Sequence, residues 1–241
     1  MKEYVLNYLS GLENGYGVCG IIDRRGRIYP LSSDTKVIST LFENIVRQAV
    51  VAYTATAGLV LIDADKQNYY PDFTLATGPE DARKIAVDVK TTYRQASGDA
   101  FSSTLGSYTS FLRNDRKNIM FPYSEYGEHW IVGFVYNRTA MPASAANRIY
   151  STGDLSEIPT PFDEVEVFVQ EKWRIAGDRA GSGNTTNIGS ISGRLTDFQQ
   201  GNGVFQSESE FLAYWRNYGR TASERERLYR NIDEFRVMYQ C

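Results

Sequence analysis

The 241-residue chain is long enough for one large domain with a sizeable core; 42% of it is hydrophobic, 23% charged, and its net charge is −3 at pH 7. That charge argues against a uniformly basic nucleic-acid-binding surface, although acidic metal ligands can offset a local basic cleft. A single histidine, His129, excludes zinc and nuclease sites that need two, and two distant cysteines, Cys19 and Cys241, fit a reducing compartment and no thiolate zinc site.

The N-terminal stretch has no apolar signal region, and the longest uncharged run, 48–62, is too short to span a bilayer. The expectation is a soluble cytoplasmic protein with no membrane partner. Ser33 or Asp34 can cap a helix whose apolar residues, from Val37 to Tyr53, recur at helical spacing until Gly58 ends it. Leu59 to Ile62 reads as a short buried strand, followed by a polar loop over 63–68. Tyr69 to Leu75 reads as a strand, Thr77-Gly78-Pro79 as a turn, and Lys84 to Thr92 as the next strand. His129 to Tyr136 predicts a central strand, with His129 in a structural role at its edge. Prolines and glycines over 140–163 suggest a surface excursion. Val165, Val167 and Val169 alternate with polar neighbours in a further strand, and a Gly/Ser/Asn/Thr-rich loop covers 180–189. Helices follow at 207–218, 222–229 and 233–239. The fold class is α/β in its α+β form: one domain, 1–241, with a mixed central β-sheet flanked by helices.

The chemistry concentrates in Pro71-Asp72 and Asp88-Val89-Lys90. Period-two alternation puts Ile85, Val87 and Val89 on one strand face, and Asp88 and Lys90 on the other. A hairpin with the preceding strand brings Asp72 to the same place. Two carboxylates suit a hard cation such as Mg²⁺, and a lysine beside them can stabilise added negative charge or assist a water. Those are the parts for breaking a phosphodiester, yet such short motifs also occur as solvated acids beside a lysine. Glu43, off the apolar stripe of the first long helix, is a candidate third acid or an ordinary surface glutamate. The loop over 181–187 carries amides and hydroxyls with little bulk, which suits base reading, a phosphate nest or a plain hairpin turn. Gln67 and Asn68 offer a second amide-bearing loop. Arg113, Arg116 and Lys117 cluster, and six arginines crowd the segment from Arg216 to Arg236, some of them balanced by nearby acids.

Longer stretches carry a more specific signal. Val18 to Ile22, Ile28 to Leu31 with Ser33 to Val37, Gln67-Asn68 and Tyr70 to Leu75 resemble the EcoRV family of type II restriction endonucleases, within the PD-(D/E)xK nucleases. So do Lys90 to Tyr93, Tyr108 to Phe111, Ile175 to Asp178 with Ala180 to Ser190, and Tyr214 to Tyr218. The resemblance implies a homodimer clasping double-stranded DNA, with Asp72 and Asp88 as Mg²⁺ ligands, Lys90 assisting the attacking water, and Glu43 as an additional acid. It implies a DNA-recognition loop at 180–190 in which Gly181, Ser182, Gly183, Asn184 and Thr185 read bases, together with Asn68. Gln67, Thr92, Ser110 and Lys117 fall at DNA-backbone or minor-groove positions, and 17–30 and 149–159 in the dimerisation part. Lys66 and Tyr69 depart from the family pattern, which has a glutamine and a histidine there. The implied site is GATATC, cut at its centre to blunt ends with 5′-phosphates, and a restriction enzyme implies a protecting DNA methyltransferase in the host. The alternatives are a PD-(D/E)xK nuclease of other specificity or repair duty, and a non-catalytic module that binds DNA or a phosphorylated ligand.

Overall fold

The computed structural model describes residues 1–12, 16–66, 68–95, 98–181, 184–219 and 229–239, with backbone only at 184 and 185. In chain order the elements are α1 (Lys2–Ser10), β1 (Gly20–Ile22), β2 (Ile28–Pro30), α2 (Thr35–Ala57), β3 (Val60–Asp63), β4 (Phe73–Ala76), β5 (Lys84–Tyr93), β6 (Thr104–Ser107) and β7 (Tyr126–Arg138). Then come α3 (Ala143–Ala146), β8 (Phe162–Glu171), β9 (Ala176–Gly181), β10 (Asn184–Ser190), α4 (Leu195–Gln200), α5 (Glu208–Asn217) and α6 (Ile232–Tyr239).

The long helix α2 is defined by its ends and its stripe. The Asp34 carboxylate accepts the backbone N–H groups of Lys36 and Val37, so Asp34, not Ser33, is the cap. Gly58 closes the helix in the left-handed region at φ 68°, where a side chain would be strained. Between them Ile38, Phe42, Val46, Ala49 and Val50 are buried against one face of the main sheet, and Phe42 stacks on Phe134 with ring centroids 4.3 Å apart.

That sheet has the order β3-β4-β5-β7-β8, with β5 and β7 parallel and all other pairs antiparallel. It is the expected mixed sheet flanked by helices. Leu75, Val87, Val89, Val132 and Val169 face α1 and α2. The opposite face packs Ala86, Ile131 and Phe168 against a smaller sheet, β6-β10-β9, and against α5 and α6. Gly133 of β7 makes this second packing possible, because a Cβ there would lie 2.1 Å from the Phe168 ring. Gly133→Ala is expected to lower stability by about 1–3 kcal/mol in urea denaturation through overpacking.

Several expectations change. The strand after Gly58 is not buried: β3 is the sheet's edge, and Val60 is 49% exposed. The strand expected from Tyr69 begins only at Phe73: the ladder starts with Phe73 opposite Val87, and Asp72 precedes it. β7 is an interior strand, but β5 holds the middle of the sheet. His129 lies inside the core and not at a strand edge: its Nδ1 is 2.9 Å from the Tyr70 hydroxyl and its ring stacks on Tyr123. The 180–189 loop is mainly the hairpin β9–β10. The 140–163 excursion contains α3 and a turn of 3-10 helix at Thr152–Glu157, and Tyr150 bridges to Ile28 beside the β1–β2 hairpin. The helix expected at 222–229 lies almost wholly outside the described residues. α1, the β1–β2 pair, β6 and α4 had no sequence signal strong enough to name them. No helix among the described residues is long and apolar enough to cross a membrane.

Candidate active site

Three structural facts assemble the acid pair. β4 and β5 run antiparallel with Phe73 opposite Val87, which brings Asp72 beside Asp88, just past the end of the ladder. The Val89 N–H then donates to Asp72 Oδ2 at 2.6 Å, fixing that carboxylate to the strand that carries Asp88 and Lys90. Alternation along β5 sends Val87 and Val89 into the core under α2 and turns Asp88 and Lys90 to the other face.

Lys90 Nζ lies 2.6 Å from Asp88 Oδ2 and also donates to the Val89 carbonyl at 3.2 Å. Asp88 Oδ2 is buried, and the Lys90 ammonium is its one close partner among the described residues. Burial, then the charge of Asp88, push the Asp72 carboxyl up to about 7. Burial opposes the charge on Lys90, but the carboxylates of Asp88 and Asp72 outweigh it and hold the ammonium above its ordinary value. The group thus sets two buried carboxylates against one ammonium, with Asp88 Oδ2 held by Lys90 alone. A hard divalent cation taking oxygen ligands from Asp72 and Asp88 satisfies both, so the donor set fits Mg²⁺.

Asp72, Asp88 and Lys90 line a cavity of about 410 Å³. Asn68 and Ser110 line it too, as do Thr186 and Asn187 from β10, so the acid–lysine group and the β9–β10 hairpin share one cleft. Ser107 and Asn118 complete its polar wall; no motif singled them out, because each is an isolated polar residue in a loop-like stretch. Ser110 is buried and its hydroxyl donates to the Lys117 carbonyl at 2.7 Å, which orders the 110–117 turn and leaves the Lys117 side chain exposed. Thr92, near the end of β5, donates to the Ser102 carbonyl at 3.3 Å. Gly181 ends β9 and pairs with Asn184, the first residue of β10. Ser182, Gly183 and Gln67 lie outside the described residues, as do the side chains of Asn184 and Thr185.

Glu43 stands apart. It lines a second cavity, about 230 Å³, whose wall it shares with Asp72 and Tyr69. Burial raises its carboxyl above the usual range, against the pull of Lys90. Among the described residues no three acids, histidines or cysteines come together as a ready metal cage, so Glu43 faces Asp72 across space and does not join the pair. Several arginines considered for phosphate binding have structural partners. Arg113 donates to the carbonyls of Arg216 and Tyr218, Arg216 to that of Leu112, and Arg236 pairs with Glu210 at 2.7 Å.

Residues 12–240 match the family model described as restriction endonuclease EcoRV. The chain is 49% identical over 236 residues to the type II restriction enzyme EcoRV of Escherichia coli, covering 98% of this chain and 96% of that protein. Among solved structures it is similar to the NlaIV restriction endonuclease, with a TM-score of 0.47 and 11% identity over 100% of this chain and 91% of the other. An identity near one half, sustained along nearly the whole chain and accompanied by a family match of the same extent, makes this protein a member of the EcoRV restriction endonuclease family, a type II site-specific deoxyribonuclease.

Proposed function

We propose that the chain acts in the cytoplasm as a Mg²⁺-dependent homodimer that recognises GATATC and hydrolyses both strands at the centre, leaving blunt ends with 5′-phosphates. The observation that carries this reading is the shared cleft: Asp72, Asp88 and Lys90 open into the same cavity as Thr186 and Asn187 of the β9–β10 hairpin. A duplex whose bases meet the hairpin tip presents a backbone to the acid–lysine group.

Asp72 and Asp88 would hold the Mg²⁺, with Glu43 close enough to add to the field. When bound, the cation supplies charge stabilisation at the phosphoryl group and lowers the pKa of water. Lys90 brings a fixed positive charge and N–H donors to the side of Asp88, where negative charge builds on the phosphoryl oxygens as water adds. The phosphorus–O3′ bond breaks, the water oxygen stays on phosphorus, and the products are a 3′-hydroxyl and a 5′-phosphate. The Val89 N–H keeps Asp72 in one orientation throughout.

Gly181 to Thr185 and Asn68 would read base edges; Gln67, Thr92, Ser110 and Lys117 would lie along the backbone or minor groove. Asn184→Ala is expected to weaken discrimination between GATATC and single-base variants by about 1–3 kcal/mol, measured as relative kcat/KM on short duplexes. The central TA step is easily unstacked, so bending there adds indirect readout and couples sequence to assembly of the site.

The dimer has a surface to form on. Ile21 and Ile22 are 62% and 58% exposed, and Ile149 and Leu155 each 52%, around the small buried cluster of Ile28, Tyr150 and Ile158. Two copies meeting here by a two-fold axis would match the two-fold axis of a palindrome. Ile21→Asp combined with Leu155→Asp is expected to convert the sedimenting species from dimer to monomer, since each buried aliphatic side chain contributes about 1.5–3 kcal/mol.

Incubation with plasmid and Mg²⁺, followed by sequencing of the ends, tests the reading. Blunt ends within GATATC support it; ends at another sequence assign a different specificity, and uncut plasmid favours a binding module. In the host such an activity requires a DNA methyltransferase that protects the same sites.

A further inference from the structure

Among the described residues three buried side-chain polar atoms have neither a hydrogen bond nor an ion pair: Tyr123 Oη, Lys172 Nζ and Trp215 Nε1. The residues of the first two pack around Tyr70, which lines the active-site cleft with Asp88. Lys172 is 1% exposed and follows β8 directly. Its ammonium lies 3.7 Å from the centroid of the Tyr70 ring and 5.2 Å from that of Phe111. The Tyr70 hydroxyl meets His129, which stacks on Tyr123.

The sheet explains why this lysine is near the acids. Asp88 pairs with Ile131, which pairs with Gln170; one row away, Ala86 pairs with His129, and Trp130 pairs with Glu171. Lys172 therefore enters the same face of the sheet as Asp88, across from His129. Its side chain runs under Tyr70, two residues before Asp72, and the Tyr70 N–H and carbonyl are tied to Asn118 and Met120. A buried ammonium without an acid in contact is among the least favourable groups a core can hold, and methionine fills such a space without the charge. Two aromatic faces offset only part of this.

Resting on the reading that Asp72 and Asp88 hold the cation, we propose that Lys172 is a positioning residue whose buried positive charge weakens divalent-cation binding at those carboxylates. Burial above all brings its ammonium down to about 7, and the charges that reach it are, in order, Asp88, Lys90, Glu208 and Asp72. His129, facing it, is kept neutral first by its own burial and then by Lys172. The charge is internal, so salt screens it little.

The test is calorimetric binding of Mn²⁺ alone to the full chain at about pH 6, where an ammonium that titrates at about 7 is mostly charged. Lys172→Met and Lys172→Gln are expected to bind Mn²⁺ roughly 3- to 10-fold more tightly than wild type, at low and high salt alike. Lys172→Arg, which keeps the charge, is expected to stay near the wild-type affinity. An unchanged affinity in the neutral variants, or the same tightening in the arginine variant, overturns the inference. A measurement on the wild type needs no variant to fold: with ¹³C-labelled lysine, saturating Mg²⁺ is expected to move the Lys172 titration to lower pH, by reciprocal linkage. An unmoved titration contradicts it. Asp88→Asn separates the two claims. Undiminished Mn²⁺ binding in that variant defeats the site reading, whereas lost binding there with no effect at Lys172 defeats only this inference.

Discussion

Asp88→Asn is expected to lower the single-turnover cleavage rate by about 10³-fold or more while DNA binding persists. The carboxylate is 4% exposed, and Lys90 is the one close partner of its Oδ2 among the described residues. The amide is nearly the same shape, so the fold has no reason to change. It carries no charge, however, and cannot anchor a divalent cation whose charge stabilisation is worth several kcal/mol; about 4 kcal/mol corresponds to a thousandfold. The substitution also removes the charge that draws Lys90 Nζ to within 2.6 Å, so the lysine loses its fixed position. Binding should survive or tighten, because one negative charge facing the phosphates is gone. Quenched-flow cleavage and a gel shift on one duplex separate the two effects; near-wild-type cleavage would remove Asp88 from the mechanism.

A second large effect concerns pH and the cation together. Burial and the Asp88 charge hold the Asp72 carboxyl at about 7, well above a free aspartate. Because the folded value is raised, folding takes up a proton at intermediate pH. The stabilisation from this group is fully present below about pH 4 and is lost as pH rises through about 7. A divalent cation binds the ionised form and reverses the loss. Millimolar Ca²⁺ is therefore expected to raise Tm little near about pH 5.5 and by several degrees near about pH 8, since roughly 2–4 °C accompanies each kcal/mol in a chain of this size. Asp72→Asn should flatten both responses. Calorimetry across that range checks the result, and a Ca²⁺ shift that is independent of pH or persists in Asp72→Asn would count against the assignment.

The readable parts of this protein were those governed by local periodicity. Asp34, the stripe from Ile38 to Val50 and Gly58 specify α2 almost residue by residue. Alternation in β5 placed Asp88 and Lys90 on one face and Val87 and Val89 on the other, because the period of a strand is set by backbone geometry. What depended on distant partners was not legible. Period-two patterning cannot tell an edge strand such as β3 from a buried one. Nothing local marks Ser107 and Asn118 as cleft residues, since chain segments far apart in sequence bring them there. Gly and Asn at 181–189 read as loop, yet pairing with β9 makes most of the stretch a strand. Lys172 is the clearest case: a lysine in sequence reads as surface, and only the fold places it under Tyr70.

The central claim is that Asp72 and Asp88 hold the cation in the cleft shared with the β9–β10 hairpin. A crystal of the protein with a GATATC duplex, soaked in Mn²⁺ and measured at the manganese absorption edge, tests it most directly. The account predicts an anomalous peak within bonding distance of carboxylate oxygens from both Asp72 and Asp88, beside the phosphate at the centre of the site. Ordered Mn²⁺ elsewhere, with none between those two residues, would contradict it.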